Sequence, residues 1–186
     1  MHPELKFYIE TERLILRDML PEDAEALFRM DSDPEVHTYL GNNPVKDIEH
    51  IRNYIQAIRQ QYIDTGIGRW AAVEKSTGEV IGWTGLKLLK DNWNGHTNVH
   101  DVGYRLAKKF WNKGYATEST IASLKYAFEV LNIDIVYGSA NIHNTRSRRA
   151  LEKCGLTYVE QFYYGDILCD WLKITKEEWL VKSHDK

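Results

Sequence analysis

The sequence is poor in cysteine and has no long apolar run, and each shortage excludes a class of protein. Only two cysteines occur among 186 residues, and the positions of Cys154 and Cys169 match neither a CxxC pair nor a zinc-ligand spacing. A disulfide framework is therefore not expected, and a reducing cytoplasm is the predicted location. The first residues lack the apolar core of a signal peptide, and no apolar run reaches the roughly 20 residues that cross a bilayer. We therefore predict a cytoplasmic protein without a membrane contact.

An excess of charge of one sign is also missing. The chain has 24 Lys and Arg against 27 Asp and Glu, a formal net charge of −3. A nucleic-acid partner is therefore not predicted, because such proteins present clustered Lys and Arg. His96 and His100 have the spacing of two metal ligands on a helix, but no third ligand accompanies them. No metal is predicted.

Two common phosphate-binding motifs are absent as well. The sequence has no GxxxxGK[ST] stretch, which excludes a P-loop nucleotide hydrolase. Gly66 and Gly68 form a GxG pair, but the third glycine of the dinucleotide-binding motif is missing and a strand, not a helix, follows. A phosphate ligand would therefore need another kind of site.

The residues that are present predict a globular α/β protein. With 43% apolar and 27% charged residues, the composition supports one domain over residues 1–186 with its core at about 10–176. The apolar spacing predicts strands at 13–18, 70–73, 80–86, 102–106, 135–140, 158–164 and 167–174. It predicts helices from Pro21, at 33–41, at 47–64, at 116–131 and at 144–153, with a last helical turn at 177–180 and a polar loop at 91–100.

The sequence WNKGYATE at 111–118 predicts an anion site. It follows the strand at 102–106 and opens a long amphipathic helix. The first N–H groups of a helix have no acceptor inside the helix, and they lie at the positive end of the helix dipole. Gly114 and Ala116 leave room for a ligand to approach the main chain. A phosphate or pyrophosphate fits such a turn.

Three motifs together resemble the GNAT superfamily of acetyl-CoA-dependent N-acetyltransferases. They are GYRL at 103–106, WNKGYATE at 111–118 and NTRSRRALEKCGL at 144–156. The opening TERLILR at 11–17 resembles the first strand of the branch that acetylates protein N-termini, including those of ribosomal proteins. Trp111 stands where the superfamily usually has Gln or Arg. The resemblance implies a mixed, mostly antiparallel sheet, splayed at the cofactor site, with helices on both faces.

The resemblance also implies where acetyl-CoA binds. The N–H groups from Asn112 to Thr117 would hold the pyrophosphate, and the strand around Tyr104 would pair with the pantetheine amides. Asn144 would bond the pantetheine arm, and basic side chains would reach the nucleotide phosphates. The expected cofactor residues are Tyr104, Arg105, Leu106, Asn112, Lys113, Gly114, Tyr115, Ala116, Thr117, Asn144, Ser147 and Arg149, with Arg146 and Lys153 as further candidates.

The reaction would be direct attack of a neutral primary amine on the thioester. An α-amine with a pKa of about 8 is neutral far more often at pH 7 than a lysine amine near 10.4, so we predict a protein or peptide α-amine. Ser147 is the predicted donor to the departing thiolate. Asp101 is the predicted base, with His100 as the alternative; the two alternate across the sheet, so only one can face the site. Glu118 is predicted to be structural.

The acceptor is the least determined part. Trp83 and Trp93 are candidates for its pocket, and Tyr163 and Tyr164 for its entrance. The alternatives are a small amine such as a polyamine, amino acid or aminoglycoside, which an acidic cleft would favour, or a coenzyme-A-binding regulatory module without catalysis. The acids to test are Asp31, Asp33 and Glu35. Cys154 is expected to be a small buried apolar residue, and Cys169 has no recognisable His partner, so no acetyl-enzyme is expected. A homodimer is a further expectation for the assembly.

Overall fold

A computed structural model describes residues 7–184, with side chains described as far as residue 181. Within these residues, eight strands form one sheet in the order β1-β2-β3-β4-β5-β6-β8-β7. The strands are β1 Tyr8–Glu10, β2 Leu14–Arg17, β3 Arg69–Glu74, β4 Val80–Leu89, β5 Val99–Leu106, β6 Ile135–Asn141, β7 Thr157–Tyr164 and β8 Ile167–Thr175. The helices are α1 Ala24–Asp31, α2 Ile48–Thr65, α3 Tyr115–Lys125, α4 Thr145–Lys153 and α5 Lys176–His184. Short 3₁₀ turns at Pro21–Asp23 and Lys108–Phe110 precede α1 and α3.

Helices cover both faces of the sheet. Neighbouring residues of a strand point to opposite faces, and Trp70 and Ala71 accordingly belong to two different buried clusters. The Trp70 cluster includes Leu124 of α3 and Leu151 of α4. The Ala71 cluster includes Leu27 of α1 and, from α2, Ile51, Ile55 and Ile58. The predicted α/β fold with helices on both faces is confirmed.

The sheet is antiparallel except where β5 meets β6. That pair is parallel, and its register consists of a single match, Asp101 with Tyr137. Beyond this point β6 pairs with β8, whereas β5 continues to Leu106 paired only with β4. The two strands therefore diverge, and the predicted splay of the sheet is confirmed.

The predicted helix at 33–41 is wrong. Its backbone hydrogen bonds run over three residues, from Val36 N–H to Asp33 O and from His37 N–H to Pro34 O, both 3.1 Å. The segment is thus a chain of turns closed by bonds from residue i+3 to residue i, not an α-helix. The predicted loop at 91–100 is also too long, because β5 begins at Val99 and includes His100 and Asp101.

Other boundaries were missed by smaller margins. β1 was not predicted, and β4 extends three residues past its predicted end at Leu86. The helix predicted at 116–131 is regular to Lys125 and ends in one wider turn of the π type at Tyr126–Val130. Among the described residues, no helix combines the length and the apolar character that crossing a membrane requires.

Candidate active site

The divergence of β5 and β6 opens a cavity of about 1100 Å³. One wall is the unpaired edge of β5 from Val102 to Leu106, and the opposite wall includes Ser139 and Asn141 of β6. A strand edge without a neighbour presents N–H and C=O groups to whatever lies beside it. An extended ligand with amide groups can therefore bind there as an added strand, as predicted for pantetheine.

The turn before α3 forms a cradle of backbone donors at one end of this cavity. Asn112 and Gly114 both have left-handed backbones, with φ of 60° and 83°. Among the described residues, the N–H groups of 112–117 have no acceptor, and the first helical bond runs from Glu118 N–H to Gly114 O. Successive free N–H groups at a helix start bind anions, so the residues present fit a pyrophosphate.

Arg13 supports this cradle through contacts with its backbone and with the Tyr115 ring. Its Nη1 donates to the Lys113 carbonyl at 2.8 Å, and its guanidinium lies 4.5 Å from the centre of the Tyr115 ring. Glu118 accepts from Arg13 Nε at 2.7 Å and from the Thr11 hydroxyl at 2.6 Å. Burial opposes the charge of Glu118, but these donors outweigh it and lower the pKa of its carboxyl. The predicted structural role of Glu118 is therefore seen in its contacts, and its main partners are in the segment before β2.

Two hydroxyl groups meet where β5 faces α4. Tyr104 Oη donates to Ser147 Oγ at 3.1 Å. The Asn144 side chain caps α4 by accepting from Ser147 N–H at 3.1 Å, and this bond fixes the start of the helix that carries Ser147. Burial raises the pKa of Tyr104, and the bond to Ser147 opposes this only in part, so the phenol keeps its proton.

Eleven of the twelve residues expected to bind the cofactor line this one cavity; the exception is Lys113. The Lys113 side chain lies beside the Phe110 ring, with Nζ 5.4 Å from its centre, although its carbonyl belongs to the braced turn. Arg146 and Lys153 also line the cavity. Arg105 contributes backbone to the β5 edge, but its side chain pairs with Asp31 at 2.7 Å.

The predicted base, Asp101, lines the same cavity at the point where the strands part. It is 8% exposed and forms an ion pair with Arg69, which also donates to the Gly85 and Asp101 carbonyls. Oδ2 receives the Arg69 side-chain bond, and Oδ1 accepts none from the described residues. Burial raises the pKa of the Asp101 carboxyl, while Arg69 lowers it by less. A raised carboxyl pKa suits a proton acceptor.

The alternative base lies elsewhere. His100 lines a separate cavity with Leu88 and residues 131–135, not the cavity of Ser147. The strict alternation of a strand accounts for this separation from Asp101. Burial lowers the pKa of His100. Within residues 7–184, no cluster of three or more His, Cys, Asp or Glu could hold a metal ion.

Aromatic residues line the part of the cavity next to Asp101. Trp83, Trp93 and Tyr164 belong to the lining, and Trp93 and Tyr164 pack with ring centres 4.8 Å apart. Tyr163, the other residue predicted at the entrance, is 70% exposed and lies outside the lining. Glu35 lines the cavity and pairs with Lys108, whereas Asp33 bonds the Glu35 backbone N–H at 2.9 Å.

Sequence reasoning missed three side chains that shape the site: Arg13, Arg69 and Lys87. Arg13 lay in a motif attributed only to the first strand, and its contacts reach residues 100 and 105 positions away. Arg69 meets Asp101 across β4, and Lys87 stands opposite Asp101 in the β4–β5 register. No local pattern signals these meetings, because strand register creates them.

Both thiols are predicted to resist alkylation in the folded protein. Cys154 and Cys169 are buried, and burial raises the pKa of the Cys154 thiol to about 12 and that of Cys169 by less. Because the thiolate is the reactive form, iodoacetamide at pH 7.5 should label neither in native protein and both in urea, as mass spectrometry would show. Fast native labelling of Cys154 would contradict this burial.

The fold and this site define an α/β protein whose split sheet can hold an extended ligand with a phosphate group at one end. A sequence model of the acetyltransferase (GNAT) domain matches residues 13–157. The chain belongs to the GNAT family and is an acetyl-CoA-dependent N-acetyltransferase. The predicted family, fold and enzyme class are thereby confirmed.

Similar proteins agree with this assignment. The chain is 36% identical over 141 residues to the uncharacterized N-acetyltransferase p20 of Bacillus licheniformis, covering 76% of this chain and 77% of that protein. It is 30% identical over 187 residues to the FsC-acetyl coenzyme A-N(2)-transacetylase of Aspergillus fumigatus, covering 92% and 77%. Its fold resembles that of a spermidine N-acetyltransferase from Vibrio cholerae in complex with CoA and spermine, with a TM-score of 0.71, 16% identity and coverage of 91% and 99%.

Proposed function

We propose that this enzyme transfers the acetyl group of acetyl-CoA to an α-amine of a peptide, protein or amino-acid derivative by direct attack. The observation that carries the proposal is the placement of Asp101 and the Tyr104–Ser147 pair on one cavity, at the free edge of β5. An α-amine loses its proton more easily than a lysine amine, so one buried carboxylate suffices as base. The name of the Aspergillus relative, an N(2)-transacetylase, supports an α-nitrogen acceptor.

The carboxylate, the free strand edge and the hydroxyl pair each have a separate role in this reaction. Asp101 Oδ1 receives the amine proton, directly or through water, while Arg69 holds the carboxylate in place. Backbone N–H groups at the β5 edge stabilise the negative charge that develops on the thioester oxygen. Ser147, held by Tyr104, donates a hydrogen bond to the departing thiolate. A thiol pKa near 8.5 is well below that of a phenol near 10, so the hydroxyl pair stabilises the thiolate without giving up its own proton.

A polyamine acceptor has less support. The fold likeness to the spermidine enzyme is its motivation, but a cationic substrate needs free acids in the cleft. Among the described residues, the two carboxylates that line the cavity, Glu35 and Asp101, are each paired with a cation, and the nearby Asp31 is paired with Arg105. The geometry therefore favours an acceptor with fewer positive charges.

Thiol release from acetyl-CoA with a panel of amines tests the proposal. We expect α-amines to exceed lysine side-chain amines, with intersecting initial-rate patterns that indicate a ternary complex. Ser147→Ala and Tyr104→Phe should each lower kcat about tenfold or more, with little change in the dissociation constant for CoA. Ser76→Ala, in the exposed turn after β3, is the matched control. Parallel kinetics would indicate an acetyl-enzyme, and tight CoA binding without turnover of any amine would leave a binding module.

A further inference from the structure

Lys87 is a cation in the cavity that forms no ion pair with any of the described residues. It lies on β4 directly opposite Asp101 on β5, lines the cavity and is half-buried. The other two cations on this side are paired, Arg69 with Asp101 and Arg105 with Asp31. Among the described residues, no carboxylate lies within 4.0 Å of Lys87 Nζ and no acceptor bonds it.

The surroundings of Lys87 make this ammonium costly. Burial and the neighbouring Arg69 lower the pKa of Lys87, and Asp101 opposes them only in part, because Asp101 is already bound to Arg69. A charge taken partly out of water without a counter-ion is unfavourable, and an anion placed beside it would relieve that cost. The cavity thus has one uncompensated positive charge next to the predicted base.

We propose that the acceptor molecule carries an oxyanion, a carboxylate or a phosphate group, that pairs with Lys87 while its amine lies at Asp101. This rests on the proposed function, because Asp101 marks the amine end of the acceptor. Side chains directly opposite on antiparallel strands have Cβ atoms about 5 Å apart, so the oxyanion would be only a few bonds from the amine. A polyamine would instead bring a second positive charge to Lys87.

Matched acceptor pairs test this inference. Alanyl-alanine and its C-terminal amide have α-amines of similar basicity and differ in one carboxylate; O-phosphoserine amide and serine amide also have α-amines and differ in one phosphate; spermidine provides the cationic case. We expect the wild-type kcat/KM for at least one anionic member to exceed that of its neutral partner about tenfold or more. The pair that shows the larger preference identifies the oxyanion as carboxylate or phosphate.

The variant Lys87→Met keeps the apolar stem and removes the charge. It should lower the preference for the anionic over the neutral member about tenfold to a hundredfold, chiefly through KM, and Lys87→Arg should restore most of it. Lys125→Met, an exposed lysine of α3, should leave the preference unchanged. If Lys87 acted only through the pKa of Asp101, both members would fall together and the preference would stay, which overturns the inference. Turnover with equal rates, or best with spermidine, also overturns it, whereas no turnover with any amine contradicts the proposed function.

Discussion

Replacing Asp101 by alanine should lower kcat/KM at least about a hundredfold and reduce the free energy of unfolding by about 3–5 kcal/mol. The loss of stability has its source in Arg69, whose side chain is 8% exposed and would keep its charge without its carboxylate partner. The loss of activity has its source in the base. Urea unfolding and thiol-release kinetics measure the two effects separately.

A double variant separates the two roles of Asp101. In Arg69→Met with Asp101→Leu, both charges are replaced by apolar side chains of similar size, an exchange that is often neutral for stability. We expect most of the lost stability to return while the activity stays low. Asp166→Ala, in the turn between β7 and β8, is an exposed control that should change neither. If the double variant recovered activity together with stability, Asp101 would be a structural residue and the base would be water.

Local sequence patterns predicted the elements whose stability is local. The apolar spacing predicted a helix at 47–64, and α2 spans Ile48–Thr65. The prediction was accurate because every turn of an amphipathic helix repeats the same apolar spacing. The segment 33–41 combines turn-forming residues with some helical spacing. After Asp33 its backbone bonds link residues three apart, as in turns, and not four apart, as in an α-helix. The start of β5 was missed because Val99–Asp101 becomes a strand only by pairing with Leu89–Lys87 of β4.

The same distinction separates the two halves of the site. The anion cradle was predictable, since a helix start exposes N–H groups whatever surrounds it. The Arg69–Asp101 pair was not predictable, because it depends on the β3–β4 and β4–β5 registers and on a glycine that leaves space between the two side chains. A Cβ atom on Gly103 would lie 2.9 Å from the Arg69 guanidinium, so glycine there leaves the path along which Arg69 reaches Asp101.

Replacing Gly114 by valine should weaken CoA binding about tenfold to a hundredfold. Gly114 has a φ of 83°, which a β-branched residue adopts only under strain of about 1–3 kcal/mol. Its Cβ would also lie 3.2 Å from the Arg13 guanidinium that braces the turn. To relieve the backbone strain or the close approach to Arg13, the turn would rotate the N–H groups of Tyr115 and Ala116 away from a common anion. A loss of about 1.4 kcal/mol in binding free energy lowers the affinity tenfold. Isothermal titration with CoA measures this effect.

Gly78 offers the control that distinguishes a damaged cradle from a damaged fold. Its φ of 73° is similar, it lies in the turn between β3 and β4, and nothing would lie within 4 Å of an added Cβ. Gly78→Val should therefore lose comparable thermal stability while keeping its affinity for CoA. Equal CoA affinities in the two variants would mean that the backbone at Gly114 does not hold the pyrophosphate. A loss in Gly114→Val alone would tie coenzyme binding to the left-handed turn that Arg13 supports.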